Sequence, residues 1–207
     1  KKTNWDILIS NHSLSIKKLL KVLPEKMRPT EFNSASGNIS SNLRLISSKK
    51  GDSELTGDFV INNGSYKISS NGLTKVDIKG KISQSNISNI QTVLISVSSY
   101  SLVYNNLIQL TGDGVLKNLE NPYFKIHLFS ELNLEDLHDI SLKDSFKALK
   151  GKSKVDVELE GRLIDVFTKP NQRNLNSLKL IGSVYVVEAL VQPNQFDFPI
   201  IVEQSEV

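Results

Sequence analysis

Three histidines, His12, His127 and His138, are the side chains of this sequence best suited to acid–base chemistry or metal binding. His138 stands beside Asp136 and Asp139, a grouping that could begin a metal site. No second histidine lies at ligand spacing from it, so a metal centre is not favoured. His127 alternates with apolar neighbours, which predicts a place on the polar face of a strand. We expect no metal and no other cofactor.

The acids Asp156, Glu158 and Glu160 form a second group, and their spacing of two puts them on one face of a strand. Paired carboxylates at a suitable distance hydrolyse glycosides, so the group resembles a glycosidase pair superficially. Lys154 and Arg162 bracket the acids in the same alternation. A solvated outer face is therefore the better interpretation.

Other catalytic patterns are missing from the sequence. The chain has no cysteine, which excludes disulfides, thiolate metal sites and a cysteine nucleophile. The glycines at 112 and 114 lie between two strand-like segments. No following helix or lysine accompanies them, so they are not expected to form a phosphate-binding loop. The Gly-x-Ser-x-Gly pattern is absent, and no serine has a recognisable histidine and acid. We predict that this protein is not an enzyme.

Composition predicts one ordinary folded domain. The chain has 207 residues, of which 39% are hydrophobic and 23% charged, and it carries a net charge of +3. Its basic residues are scattered among acidic ones, which argues against nucleic acid as a partner. No run reaches the roughly 18 apolar residues of a membrane span.

The elements that must position any site are strands, because short runs of alternating apolar and polar residues recur along the chain. Residues 55–61, 76–82, 108–116, 124–128 and 155–163 all show period two. We predict a mainly β fold of 1–207: a long antiparallel curved sheet, either an open gutter or a partly closed β-sandwich. Asparagine and glycine at 62–65 and at 71–72 predict hairpin turns.

Two segments change period and predict short amphipathic helices. At about 14–24, a serine cap precedes apolar residues at helical spacing, and Pro24 ends the segment. This helix is expected to plug one open end of the β core, and a membrane-lying helix is the alternative. At about 133–149, the apolar spacing predicts helical turns that end at Gly151.

The order of these segments resembles a known family. The relevant runs are LLKVLPE at 19–25, SGNI at 36–39, LTGDF at 55–59, INNGSY at 61–66, LTGDG at 110–114, NLENPY at 118–123, LNLEDL at 132–137 and LKG at 149–151. Their succession, over about 14–163 and more loosely 180–193, resembles the AsmA-like proteins of Gram-negative envelopes, especially forms from the Bacteroidota. Each motif alone is degenerate, so their shared order carries the resemblance.

The resemblance implies a periplasmic, non-enzymatic envelope-biogenesis module related to bridge-like lipid transfer proteins. Such proteins bind or conduct phospholipid or other acyl-chain lipids along an apolar sheet, and envelope proteins are possible partners. They are tethered to a membrane by an N-terminal helix. The sequence begins with Lys1 and not Met, so we expect a piece of a longer protein or a mature product, with its tether outside this fragment.

If such a groove exists, the apolar positions of the strands are the candidates to face lipid. They are Leu55, Phe59, Ile61, Val76, Ile78, Ile82, Ile108, Leu110, Phe124, Ile126, Leu128, Val155, Val157 and Leu159. The same residues would equally suit the dry core of a sandwich. The alternative function is therefore a structural or adhesive β-sandwich of a surface protein, which could bind glycan. A shortage of aromatic residues, with Trp5 the single tryptophan, speaks mildly against glycan.

Overall fold

The computed structural model describes residues 5–18, 35–47, 53–68, 71–138, 145–162, 178–195 and 197–206. These residues form a mainly β structure, one open antiparallel sheet, as the sequence predicts. The strands of the described residues are β1 (Asp6–Ser15), β2 (Ser36–Ser47), β3 (Ser53–Ile68), β4 (Asn71–Gln84), β5 (Val93–Tyr104), β6 (Ile108–Lys117), β7 (Tyr123–Asn133), β8 (Phe146–Arg162), β9 (Lys179–Pro193) and β10 (Ile200–Glu206). A 3₁₀ turn (Ile90–Thr92) precedes β5, and a short helix, α1 (Leu134–Leu137), follows β7.

The sheet is an uninterrupted meander. Its strand order is the sequence order from β1 to β10, and every neighbouring pair is antiparallel. Hydrogen bonds join all ten described strands into a single sheet, so of the two predicted architectures the open sheet is observed, and a pair of separate stacked sheets is not.

Strand alternation divides the sheet into two chemically different faces. In β8, Val155 and Val157 point to one face, while Asp156 and Glu158 point to the other. Cross-strand partners share a face, so the register extends this division to the neighbouring strands: Val157 lies opposite Leu128. We call the first side the apolar face and the second the polar face.

The hairpin predicted at residues 62–65 is wrong, because β3 runs through this segment from Ser53 to Ile68. Asn63 does adopt a positive φ of 51°, but within a register shift between β3 and β4. Its backbone N–H donates to the Asp77 carboxylate at 2.9 Å. Bulges and tight turns both use positive φ, and the sequence signal for the two is the same. A turn is also predicted at residues 71–72, but these are the first two residues of β4.

The helical stretch predicted at 133–149 is helical only over α1 within the described residues. Residues 146–149 belong to β8, where Leu149 lies opposite Val191 of β9. Register shifts on both sides of Leu149, near Ala148 and near Gly151, break the period-two pattern. The interrupted alternation gives the apolar residues a helix-like spacing, but their pairing with β9 makes the segment a strand. Residues 139–144 lie outside the described part.

The N-terminal helix predicted at about 14–24 begins at residue 16, directly after β1. Leu14 and Ser15 are still in the strand, and residues 16–18 are helical. Residues 19–24, including the predicted stop at Pro24, lie outside the described residues.

A small buried cluster closes one end of the sheet. Leu134 of α1, Leu149 of β8 and Ala189 of β9 are each at most 9% exposed and pack together. Val186, which lies opposite Ser153 on the apolar face, packs against them. Helix α1 therefore covers the apolar face at the end where β7 leads to β8.

Candidate functional site

The apolar face is the most extensive candidate surface of the described chain, and it contains every predicted lipid-facing residue. The cross-strand register aligns them in rows: Ile61 with Ile78, Leu110 with Leu102, and Phe124 with Leu116. On this face lie Leu55, Phe59, Ile61, Val76, Ile78, Ile82, Ile108, Leu110, Phe124, Ile126, Leu128, Val155, Val157 and Leu159.

Glycines interrupt these rows, and large side chains occupy the space above them. Phe59 lies directly opposite Gly80. A Cβ atom placed on Gly80 would stand 2.7 Å from the Phe59 ring and 2.6 Å from the Ser96 carbonyl oxygen. Only glycine leaves room there, so the ring lies over the backbone of the neighbouring strand.

Tyr100 repeats this arrangement two strands further along. It lies opposite Gly112, and a Cβ on Gly112 would overlap both the Tyr100 hydroxyl and the His127 carbonyl. The hydroxyl crosses Gly112 and donates to that carbonyl oxygen at 2.9 Å. Burial raises the pKa of the Tyr100 phenol, and the negative charge of Asp113 adds to the effect. Tyr100 is thereby fixed as an uncharged donor on the apolar face.

The glycines also allow neighbouring backbone to approach closely. Neighbouring backbone closes in on the apolar side of Gly80 and Gly112, and strand glycines mark close approaches of this kind. The same close approach occurs at Gly57, Gly114 and Gly182. All five lie on the apolar face by register, so this close approach of neighbouring backbone recurs on that face.

Exposure across the apolar face shows how far it is covered. Phe124 and Val93, in the middle strands, are 5% and 4% exposed, whereas Ile7 and Leu180, at or near the edge strands, are 46% and 65% exposed. Most of the remaining positions are half-buried. The helix α1 packs on β7 and β8, the 3₁₀ turn touches β4, and both lie at strand ends. The side chains of the face thus shield one another.

Some members of the face were missing from the predicted set. Ile39, Leu43 and Leu45 of β2 belong to it, and their alternation was visible in the sequence. Ile95 and Tyr100 of β5 belong to it as well, although they have opposite parity in the sequence. A register shift between Val97 and Tyr100 reverses the phase of β5 and hides this from periodicity.

The polar face carries His127, as predicted, between two carboxylates. Its Nε2 lies 2.7 Å from an Asp156 oxygen, and its Nδ1 lies 3.4 Å from an Asp113 oxygen. The hydrogen bond to Asp156 raises the pKa of the imidazole above its usual value; burial opposes this, and Asp113 adds a further increase. When protonated, the ring donates to both acids, so His127 links β7 to β6 and β8.

The acidic group predicted to form a solvated outer face lies on the polar face, and each member has a partner. Glu158 pairs with Lys125 at 2.8 Å. Glu160 pairs with Lys179 at 3.2 Å and accepts from the Tyr123 hydroxyl at 3.1 Å. The hydrogen bond from Lys179 lowers the pKa of the Glu160 carboxyl the most, and the hydrogen bond from the Tyr123 hydroxyl lowers it further. Each of these carboxylates is paired with a basic side chain of a neighbouring strand, so the three do not converge on a space that could hold a substrate.

The other candidate histidines are not brought into a cluster. His138 Nε2 lies 3.0 Å from the Phe146 carbonyl oxygen, and His12 is exposed on β1. No group of three or more potential metal-ligating side chains occurs among the described residues. No described helix is long and apolar enough to cross a membrane.

Comparison with known proteins finds no matching family model, curated protein or solved structure.

Proposed function

We propose that this protein is a non-enzymatic lipid-handling module of an AsmA-like envelope protein, which binds the acyl chains of phospholipid or a related lipid along its apolar face. The observation that carries the proposal is an apolar face that extends across all ten described strands of an open sheet. The polar face, with its paired charges, is the side suited to water.

The chemistry of the apolar face suits acyl chains. Its side chains are mainly Val, Ile, Leu and Phe, with Tyr100 holding its hydroxyl against backbone. Each methylene that such a surface removes from water contributes roughly 0.8 kcal/mol. A surface of this kind gives affinity without strict shape selectivity, so a lipid can occupy many positions along it.

The close approaches at the glycines support the same conclusion. We propose that the sheet curves toward its apolar side, where backbone approaches the glycines beneath Phe59 and Tyr100 closely, and that this curvature forms a groove. Helix α1 covers one end of this groove through Leu134. A bound chain would therefore lie across the half-buried middle rows.

The proposal for location rests on the resemblance of the sequence to AsmA-like proteins. We propose a periplasmic module that is tethered to a membrane through a segment outside the 207 residues, with other envelope proteins as possible partners.

The test is the lipid content of the purified chain. We expect phospholipid to be extracted by organic solvent and detected by mass spectrometry in a fixed ratio to protein. Ile126→Asp places a carboxylate in the middle of the apolar face and should reduce the ratio by about tenfold, because a charge among acyl chains is strongly unfavourable.

The matched control is Phe129→Asp, on the polar face of the same strand β7, where Phe129 is 38% exposed. It should leave the lipid ratio unchanged. Circular dichroism and thermal unfolding of both variants separate loss of binding from loss of fold. A folded wild-type chain that carries no lipid and takes none from vesicles would contradict the proposal and favour the adhesive alternative.

A further inference from the structure

The edge strand β1 exposes large apolar side chains on both faces of the sheet. Ile7 and Ile9 point to the apolar face and are 46% and 49% exposed. Leu8 points to the polar face, opposite Arg44, and is 70% exposed. In β8, by contrast, the polar-face positions from Lys154 to Arg162 are all charged.

Among the described residues, the outward hydrogen-bonding groups of the β1 backbone have no strand partner. The Ser47 N–H donates to the Trp5 carbonyl at 2.9 Å, so Trp5 and Ser47 form a hydrogen-bonded pair. In an antiparallel ladder such pairs alternate with non-bonded ones. Ile7 and Ile9 therefore bond to β2, while the N–H and C=O groups of Asp6, Leu8 and Ser10 point away from the sheet. Among the described strands, β1 has a partner on one side only.

Natural edge strands are usually protected against pairing by lysine, proline or an inward-pointing charge. Residues 6–10, with the sequence DILIS, contain no lysine or proline. Their single charge, Asp6, is engaged by Arg44 through its Nη2 at 2.6 Å and its Nε at 3.0 Å. This edge is thus chemically prepared to accept a strand.

We propose that two copies of this chain join edge to edge through β1, around a two-fold axis at Leu8. In this register Leu8 meets Leu8 of the second copy, Ile7 meets Ile9, and Asp6 meets Ser10. The outward groups of Leu8 bond to each other, and those of Asp6 bond to Ser10. Ile7, Leu8 and Ile9 are then covered by the same residues of the second copy.

Charge excludes one of the other registers. A joint centred on Asp6 would place two carboxylates directly opposite each other, which is unfavourable. The Leu8-centred joint has no like-charged pair among residues 6–10. Cross-strand partners share a face, so the two apolar faces become one continuous surface of twice the width.

The test is the association state of the 207-residue chain, measured by sedimentation velocity over a micromolar to millimolar series. We expect a concentration-dependent monomer–dimer equilibrium. Leu8→Lys should raise the dimer dissociation constant by about tenfold or more, because it sets two ammonium groups opposite each other and removes buried leucine. Leu8→Glu should do the same.

Mixing the two variants provides the decisive measurement. A lysine copy and a glutamate copy carry opposite charges at the axis, so an equimolar mixture should dimerise again. A misfolded variant would not be rescued in this way.

Ile201→Lys is the matched control, because Ile201 is 72% exposed on β10, the other edge strand. It should leave the dimer unchanged. A wild-type chain that stays monomeric throughout the series, or a dimer that survives Leu8→Lys, overturns the proposal. Assemblies that grow beyond a dimer and are stopped by Ile201→Lys also overturn it, because they indicate pairing of β10 with β1.

Discussion

The two faces of the sheet are built from the same strands but are stabilised in opposite ways. On the polar face, neighbouring strands are linked by ion pairs and charged hydrogen bonds, such as Lys125 with Glu158 and His127 with Asp156. On the apolar face, large side chains lie over glycines, as Phe59 does over Gly80. Exposed ion pairs are individually weak, and close packing against backbone is sensitive to every added atom.

This difference indicates which face tolerates substitutions and which face is suited to binding a ligand. The acids Asp113, Asp156, Glu158 and Glu160 of the polar face are paired locally, and water can solvate the remaining charges. The apolar face is only partly satisfied by its own side chains, and its middle rows remain half-buried. A surface that is strictly shaped yet incompletely covered is the one suited to a ligand.

The largest difference between the faces should appear at two adjacent positions of β6. Gly112→Val would drive a side chain into the Tyr100 hydroxyl and the His127 carbonyl, and should lower the free energy of unfolding by about 3 kcal/mol or more. Asp113→Val, on the polar face, should change it by less than about 0.5 kcal/mol. Urea unfolding measures both, and equal effects would contradict the assigned faces.

A smaller difference is expected between two tyrosines. Tyr100→Phe removes the donor to the His127 carbonyl and should cost about 1 kcal/mol in the same assay. Tyr123→Phe removes a hydrogen bond to Glu160 on the polar face, where solvent replaces it, and should leave the unfolding midpoint in place. If Tyr123→Phe were the more damaging change, the polar face would be less tolerant than proposed.

The smallest effect is the pH dependence of His127. Its pKa is raised in the folded state, mainly by Asp156. The stability that it contributes is therefore fully present below the unfolded value of about 6.5 and is lost as pH rises through the folded value. His127→Gln should flatten this part of the stability profile, measured as the unfolding midpoint from pH 5 to pH 9. A decline in the wild type that persists in the variant would assign it to another group.

Much of the fold was readable from period two. The alternation around Val155 and Val157 predicted β8, and the alternation of Leu55, Phe59 and Ile61 predicted both the strand and its apolar side. These positions obey a local rule, because a strand side chain takes its face from its own parity.

Bulges account for the errors in reading strands and faces. The shift near Asn63 was mistaken for a turn, and the shift after Val97 concealed that Tyr100 shares a face with Ile95. Near Leu149, two shifts imitated a helix. A bulge is set by the partner strand as much as by its own residues, so a single sequence does not specify it.

The stacking of rings over glycines was also beyond the sequence. Phe59 and Gly80 are far apart in the chain and meet only through the pairing of β3 with β4. The individual residues were visible, but their alignment depends on a register that periodicity leaves open.

The meander has a consequence for growth of the molecule. Because each described strand is hydrogen-bonded to the described strands directly before and after it in sequence, these contacts are local, and folding is expected to spread from hairpin to hairpin. Duplicating a hairpin of β7 and β8 type would widen the sheet by two strands without changing how the others pair. Capacity for a longer or broader cargo can therefore evolve by tandem duplication, one hairpin at a time.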